Sequence, residues 1–158
     1  MKWLDQLIAK TRRAGLLIDA NILLLQVLGR FKPQLIGSST RLEKYTRVDL
    51  DLVNRLVRRF DRLVTTPHIL TEVSDLAPDE YWSAFVNDLM VFDETFVPAR
   101  ELVLGGDIQR LGLADAAIAR CAQEGVLVLT DDLPLSQRLA KRRHHVLNLN
   151  HLRTYLLA

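Results

Sequence analysis

The sequence predicts one α/β domain of three layers, in which a central and mainly parallel sheet lies between helices. Its 158 residues are 49% hydrophobic, which is enough for one buried core and too little for two ordinary domains. No repeat, low-complexity tract or Gly/Ser-rich linker divides the chain. Short apolar runs alternate with segments of helical periodicity, and this alternation is typical of a parallel sheet.

A short helix is predicted before the core, which then begins with a strand. Residues 1–13 form this N-terminal extension, and the core of the single domain covers 15–149. The apolar run at 15–18 ends at Asp19, and good helix formers follow from Ile22 to Leu28. This pattern predicts a buried strand that leads into a helix.

An amphipathic helix, a second strand and a proline-initiated helix are predicted next. Apolar side chains recur at spacings of one, three and four from Asp49 to Leu63, which predicts a single helix with one apolar face. The segment 64–66 is the predicted strand. Pro67 suits the first turn of the following helix, and that helix carries Glu72.

The second half of the core continues the alternation. An alanine-rich helix is predicted from Leu113 to Gln123, Gly125 suits its C-terminal cap, and a buried strand follows at 126–130. The other predicted elements are helices at 79–90, 133–143 and 151–157 and strands at 92–97 and 146–149.

Composition favours a cytoplasmic protein without a membrane segment. Cys121 is the only cysteine, so an internal disulfide cannot form. The first residues carry charges where a secretory signal would be apolar, and the apolar region at 15–29 is shorter than the roughly 20 residues of a membrane span. We therefore expect a cytoplasmic location and no membrane partner.

Carboxylates lie where the predicted strands end. Asp19 ends the first strand, Asp131 and Asp132 follow a later strand, Asp115 begins the helix before that strand, and Glu72 lies on the helix after the second strand. Ligand sites of open parallel sheets lie at the carboxyl ends of the strands. Acids that converge there without basic partners indicate a divalent cation, and carboxylates suit Mg²⁺ or Mn²⁺. The histidines and the cysteine lack the spacing of a zinc site.

Each acid also has an ordinary structural interpretation. Asp115 can cap its helix, and one of Asp131 and Asp132 can form a turn or cap the next helix. Glu72 alone is a typical helix surface residue. Asp19 is the hardest to explain in this way, because it lies in the apolar context LLIDANILLL. The combination, more than any one acid, predicts a site.

Three segments resemble the PIN domain, the nuclease fold of VapC-type toxins: LLIDANILL, TPHILTEVSDL and LGLADAAIARCAQEGVLVLTDD. The resemblance covers residues 15–149 and is weakest between 32 and 64. The family has D-x-N after its first strand, an acid on a later helix, an acid at the start of the helix before its fourth strand, and T-x-D or T-x-N at the end of that strand. The match assigns these positions to Asp19, Glu72, Asp115 and Asp132. From the residues alone, either Asp131 or Asp132 can be the fourth acid.

The resemblance implies a metal-dependent endoribonuclease in which these four acids are catalytic and bind one or two Mg²⁺ or Mn²⁺ ions. Asn21, Thr130 and Asp131 would then hold the ligands in place, although turn and cap hydrogen bonds explain them equally well. Toxins of this kind usually act with an antitoxin, so an antitoxin protein is an implied partner. The resemblance does not make this chain a toxin.

Basic residues form clusters that we expect to favour an RNA substrate, because phosphate contacts supply much of nonspecific affinity. The candidate RNA-binding residues are Arg55, Arg58, Arg59 and Arg62 on the predicted 49–63 helix, and Lys141, Arg142 and Arg143. Arg41, Lys44 and Arg47 form a third cluster. Each cluster alone is also typical of a solvated helix face.

Apolar stripes at Trp3, Leu4, Leu7 and Ile8 and at Trp82 and Phe85 are typical of core packing, and either could also serve a homodimer or an inhibitory partner. Among other functions, a catalytically inactive PIN-like module for RNA or protein binding fits best. A phosphoacceptor receiver domain would need an acid pair after the first strand and a lysine after the last. A dehalogenase-type phosphatase would need aspartate at Asn21.

Overall fold

A parallel sheet of five short strands is the centre of the structure, a computed structural model that describes residues 2–106 and 108–157. The strand order is 3-2-1-4-5, which is that of a Rossmann-like α/β fold. The strands are β1 (Leu16–Ile18), β2 (Leu63–Thr65), β3 (Phe92–Glu94), β4 (Leu127–Thr130) and β5 (Val146–Asn148). The helices are α1 (Lys2–Thr11), α2 (Ala20–Phe31), α3 (Arg47–Val57), α4 (Pro67–Leu76), α5 (Trp82–Leu89), α6 (Ala99–Leu104), α7 (Ile108–Gln123), α8 (Leu133–Lys141) and α9 (Leu149–Leu157).

The two central strands are apolar along their whole length because helices cover both faces of the sheet. Every residue of β1 and β4 is buried, as expected for inner strands of a parallel sheet. Leu17 of β1 pairs with Val64 of β2 on one side and with Val128 of β4 on the other. The core therefore lies around β1 and β4.

Helices flank the sheet in two groups. α2 packs against α3, α4 and α5, whereas α7 packs against α6 and α8 and also contacts α4. The chain proceeds outward from β1 to β3 in one direction and from β4 to β5 in the other. Right-handed crossovers then place the two groups of helices on opposite faces. The predicted α/β class, with a mainly parallel sheet between helices, is confirmed.

The predicted amphipathic helix from Asp49 to Leu63 is wrong at its C-terminal end. α3 starts after Thr46, whose hydroxyl accepts a hydrogen bond from the backbone of Asp49 while the Asp49 carboxylate accepts one from the backbone of Thr46. The helix stops at Val57, and Leu63 already pairs with β1. Apolar periodicity continued through this turn because Phe60 still packs against the core.

Smaller differences lie between β2 and β4. α6 lacks a predicted counterpart, and the segment 79–90 divides into a short 3₁₀ turn followed by α5. α7 begins at Ile108, earlier than predicted, but Gly112 interrupts it with φ 75° and ψ 175°. The part after Gly112 corresponds to the predicted alanine-rich helix.

Both apolar stripes contribute to the core through only some of their residues. Leu4, Ile8 and Phe85 are buried. Trp3 and Trp82 stay 43% and 46% exposed, and the ring of Trp3 packs edge-on against another aromatic ring of α9 at 5.8 Å. In the described part of the chain, the helices are too short or too polar to cross a membrane.

Candidate active site at the carboxyl edge of the sheet

Hydrogen bonds at the ends of β1 and β4 connect Asp19 to Asp132 through Thr130. Ile18 pairs with Leu129, so the next residues along the two strands, Asp19 and Thr130, lie side by side. The Thr130 hydroxyl donates a 2.6 Å hydrogen bond to Asp19 Oδ2, and the backbone N–H of Asp132 donates to Thr130 Oγ1 at 3.0 Å. Thr130 thus fixes Asp19 relative to the start of α8.

Asp19 is a buried carboxylate in an unfavourable environment. It caps α2 by accepting a 2.8 Å hydrogen bond from the backbone of Ala20. Burial raises its pKa to about 6, and the negative charges of Asp131 and Glu72 contribute in the same direction. The hydrogen bonds from Thr130 and Ala20 oppose this rise without cancelling it. Capping alone therefore does not account for an acid at this position.

Asp115 has the most perturbed carboxyl group of the site. Its pKa rises to about 7 because of burial first and then because of the charges of Asp19, Asp132 and Glu72. Arg138 acts in the opposite direction. Glu72 comes close because α4 follows β2 and packs against α7. We call Asp19, Glu72, Asp115 and Asp132 the acidic edge.

Asp131 and Asp132 are adjacent in sequence but have different surroundings. Asp132 caps α8 by accepting a 2.8 Å hydrogen bond from the backbone of Leu135. Burial alone would raise the pKa of Asp131, yet hydrogen bonds from Lys44, Tyr45 and Asn21 hold it below the ordinary value. Lys44 Nζ lies 2.5 Å from Asp131 Oδ2. The charge of Asp131 is thus already compensated, and the assignment of Asp132 as the fourth acid stays a prediction.

Tyr45 links this edge to a network that the sequence did not reveal. Its buried hydroxyl donates a 2.6 Å hydrogen bond to Asp131. Arg153 of α9 lies over the Tyr45 ring and forms an ion pair with the buried Asp49. These partners are 86 and 104 residues apart, so no local pattern indicates them. Within this network, only the T-x-x-D capping box at the start of α3 can be recognised from the sequence.

The donor set of the acidic edge consists of carboxylate oxygens, which suits Mg²⁺ or Mn²⁺. Within residues 2–106 and 108–157, however, no three His, Cys, Asp or Glu side chains form a group that could hold a metal ion as they stand. Hydrogen bonds restrain the carboxylates of Asp19 and Asp132. An ion shared by the four acids therefore requires some of these side chains to change their arrangement.

An open cleft of about 620 Å³ lies between α4 and α7, beside two of the acids. Glu72 and Asp75 line it together with His68, and Leu113 forms part of the opposite wall. Ala114, which precedes Asp115, also lines this cleft. The cleft therefore gives the acidic edge access to solvent and to a ligand of small-molecule size.

The arginines of the predicted 49–63 helix do not share one helix face, because α3 ends at Val57. Arg59 pairs with Asp5 at 2.7 Å, and Arg62 pairs with Asp93 at 2.6 Å. The carbonyl of Arg62 also accepts a hydrogen bond from the first residue of β1. These arginines therefore lie toward the amino edge of the sheet, opposite the acids.

The other two basic clusters lie at different ends of the sheet. Arg143 follows α8 and precedes β5, so it also lies toward the amino edge. Lys44 lies at the carboxyl edge through its ion pair with Asp131.

A comparison with protein-family models finds no match, and a search of curated proteins finds no relative. Function is therefore inferred from the fold and the acidic edge.

Proposed function

We propose that the chain is a metal-dependent endoribonuclease of the PIN-domain type, with the acidic edge as its catalytic centre. The observation that carries this proposal is the convergence of four acids from separate segments on one edge of the sheet, where Asp115 experiences the charges of the other three. Like charges in a partly buried site destabilise the fold unless a cation offsets them. The D-x-N and T-x-D patterns at Asp19 and Thr130 support the same assignment.

Asp19, Asp115 and Asp132 are the proposed metal ligands, and Glu72 completes the set or orients the attacking water. A bound Mg²⁺ or Mn²⁺ ion supplies Lewis acidity that activates water and stabilises the charge that develops on the phosphate. Thr130 keeps Asp19 oriented toward the start of α8. Attack by water on the phosphodiester leaves a 5′-phosphate and a free 3′-hydroxyl.

The proposal includes a cytoplasmic location, an RNA substrate and two possible protein partners, an antitoxin and a second copy of the chain. Apolar side chains are available for such contacts on α5 and just after it. Val86, Met90 and Val91 are more than half exposed. Which partner uses this surface is a question for co-purification and not for the catalytic assay.

A catalytically inactive PIN-like module is the second candidate. Two observations favour it. Asp132 already caps α8, and within the described part of the chain no three acidic, histidine or cysteine side chains are arranged to hold a metal ion. Such a module would bind RNA or protein through the same fold without cleaving it. The two candidates differ in a single assay.

The test is incubation of the purified protein with a mixed RNA pool in Mg²⁺, in Mn²⁺ and in EDTA, followed by mapping of the product ends. We expect cleavage with 5′-phosphate ends that EDTA abolishes and that Asp115→Asn lowers by orders of magnitude. Asp75→Asn is the matched control, because Asp75 is an exposed acid in the neighbouring cleft. Cleavage that survives EDTA or Asp115→Asn would contradict the proposal, and a folded protein that cleaves no RNA would favour the inactive module.

A further inference from the structure

A second cleft, of about 380 Å³, lies between the first turn of α7 and α8. Four of its six lining residues are basic, and none is acidic. The lining residues are Arg110, Pro134, Gln137, Arg138, Lys141 and Arg142. This composition gives the cleft a strongly positive surface, although the net charge of the chain is only +2.

Sequence spacing and one glycine explain how the cations meet. Pro134, Arg138 and Lys141 follow each other at intervals of four and three, so they share one face of α8. Gly112 breaks the regular helix of α7 with a positive φ of 75°. The turn that carries Arg110 therefore departs from the axis of the rest of α7 and borders the same cleft.

Three of the four positive charges of this cleft are uncompensated in the described part of the fold. Among the described residues, Arg110, Arg138 and Lys141 form no ion pair with an acid. In contrast, Arg59 and Arg62 at the amino edge both have carboxylate partners. Uncompensated cations in a concave surface attract anionic ligands and concentrate them there.

The cleft is close to the acidic edge. Pro134 lines the cleft and lies two residues after Asp132, the N-cap of α8, and Arg138 is near enough to Asp115 for its charge to oppose the rise of the Asp115 pKa. α8 begins beside the acids at Asp132 and extends from there toward the amino edge. A ligand in the cleft would therefore have one end at the acids.

We infer that this cleft binds the sugar–phosphate backbone of single-stranded RNA and leads the strand to the acidic edge, an inference that rests on the proposed function. From Pro134 to Lys141, α8 rises by roughly 10 Å, at about 1.5 Å per residue. One strand of a duplex advances roughly 3.4 Å along its axis for each phosphate, so a surface of this length has room for more than one phosphate. Positively charged grooves that follow the backbone are typical of proteins that bind single strands, so we expect a single strand to bind more tightly than a duplex.

The experiment measures RNA binding without catalysis. A fluorescein-labelled single-stranded RNA of 12 nucleotides is titrated in EDTA at several KCl concentrations, and fluorescence anisotropy reports binding. The test variant is Arg110→Gln/Arg138→Gln/Lys141→Gln. The matched control is Lys2→Gln/Lys10→Gln/Arg13→Gln, which removes three exposed charges from α1 and the residues after it.

We expect the test variant to bind at least tenfold more weakly at 100 mM KCl. The slope of log K against log [KCl] should become shallower by about 2, since each phosphate contact on a single strand contributes roughly 0.7. The control should bind within twofold of the parent. Arg110→Lys/Arg138→Lys keeps both charges and should retain most of the affinity, which separates lost charge from damage to the fold.

Several results would overturn the inference. These are equal weakening by the test and control variants, an unchanged salt slope, tighter binding of a duplex than of the single strand, or an equally large effect of Arg55→Gln/Arg58→Gln/Arg62→Gln. A parent protein that does not bind RNA at all would also overturn it. Binding that depends on the cleft in a protein that never cleaves RNA would refute the proposed function and leave the cleft assignment standing.

Discussion

Replacing Asp19 by asparagine should stabilise the metal-free protein at pH 8. The carboxyl group is buried, and its pKa rises from the ordinary value of 3.8 to about 6. At about 1.36 kcal/mol for each pKa unit, ionised Asp19 lowers the free energy of unfolding by roughly 3 kcal/mol. Asparagine removes this cost but loses one good acceptor for the Thr130 hydroxyl, at about 1 kcal/mol.

The net expectation is a gain of about 2 kcal/mol at pH 8, or roughly 4–8 °C in Tm for a chain of this size. The sign of the pH dependence follows from the difference in proton binding between the folded and unfolded states. Because folding raises the pKa of Asp19, the folded state of the parent binds more protons between pH 4 and 6. Its stability from this group therefore falls as pH rises through that window and does not change further above it. The variant lacks this fall, so its advantage should vanish at about pH 4.5.

Asp131→Asn is the matched control, because the pKa of Asp131 is lowered through Lys44 and Tyr45 despite burial. That substitution should destabilise the protein at pH 8, and its cost should shrink as pH falls below 4. Urea unfolding in EDTA between pH 3 and pH 8 measures both variants. If Asp19→Asn loses stability at pH 8, or if its effect is the same at every pH, the description of Asp19 as a destabilised buried carboxylate is refuted.

Three further substitutions test the contacts around the site. Tyr45→Phe removes the 2.6 Å hydrogen bond to Asp131 and should lower the free energy of unfolding by about 1–2 kcal/mol, with a rise in the Asp131 pKa that NMR titration can follow. Arg153→Met leaves the buried Asp49 without its ion pair and should cost about 3 kcal/mol in urea unfolding at pH 7. Gly15→Ala should cost about 2 kcal/mol, because φ is 115° and the new Cβ would lie 2.9 Å from a side-chain atom of β2.

Each of these predictions has a control of its own. Phenylalanine keeps the aromatic ring of Tyr45 under Lys44 and Arg153, so an unchanged Asp131 pKa would mean that the hydroxyl contributes nothing. Arg153→Lys retains a charge and should recover part of the loss. Gly105→Ala has a negative φ and no atom closer than 3.5 Å, so it should be nearly neutral. Equal losses at the two glycines would contradict the strain argument.

The fold was predictable because its signals are local. Apolar runs such as Leu16–Ile18 can be buried only inside a covered sheet, and Pro67 fixes the start of α4. The end of α3 was not predictable from periodicity, because Phe60 and Leu63 continue the helical spacing after the helix has ended. There the pairing of β2 with β1, which is a tertiary interaction, decided the boundary.

The candidate site divides in the same way. Asp19, Asp115 and Asp132 could be placed at one edge from the alternation of strands and helices, since the carboxyl ends of parallel strands meet there. The difference between Asp131 and Asp132 depends on Lys44 and Tyr45, which come from a distant segment. Lys141 and Arg142 of the basic cleft were among the predicted RNA-binding residues, but the cleft itself was not predicted, because Arg110 reaches it from a different helix.

The central claim is that the acidic edge binds a divalent cation, and the most direct test is a Mn²⁺ titration of the protein followed by EPR. We expect the parent and Asp75→Asn to bind Mn²⁺ alike, and Asp115→Asn to bind it at least tenfold more weakly, because the substitution removes an anionic ligand. A parent that does not bind Mn²⁺, or an Asp115→Asn variant that binds it as tightly as the parent, would contradict the claim.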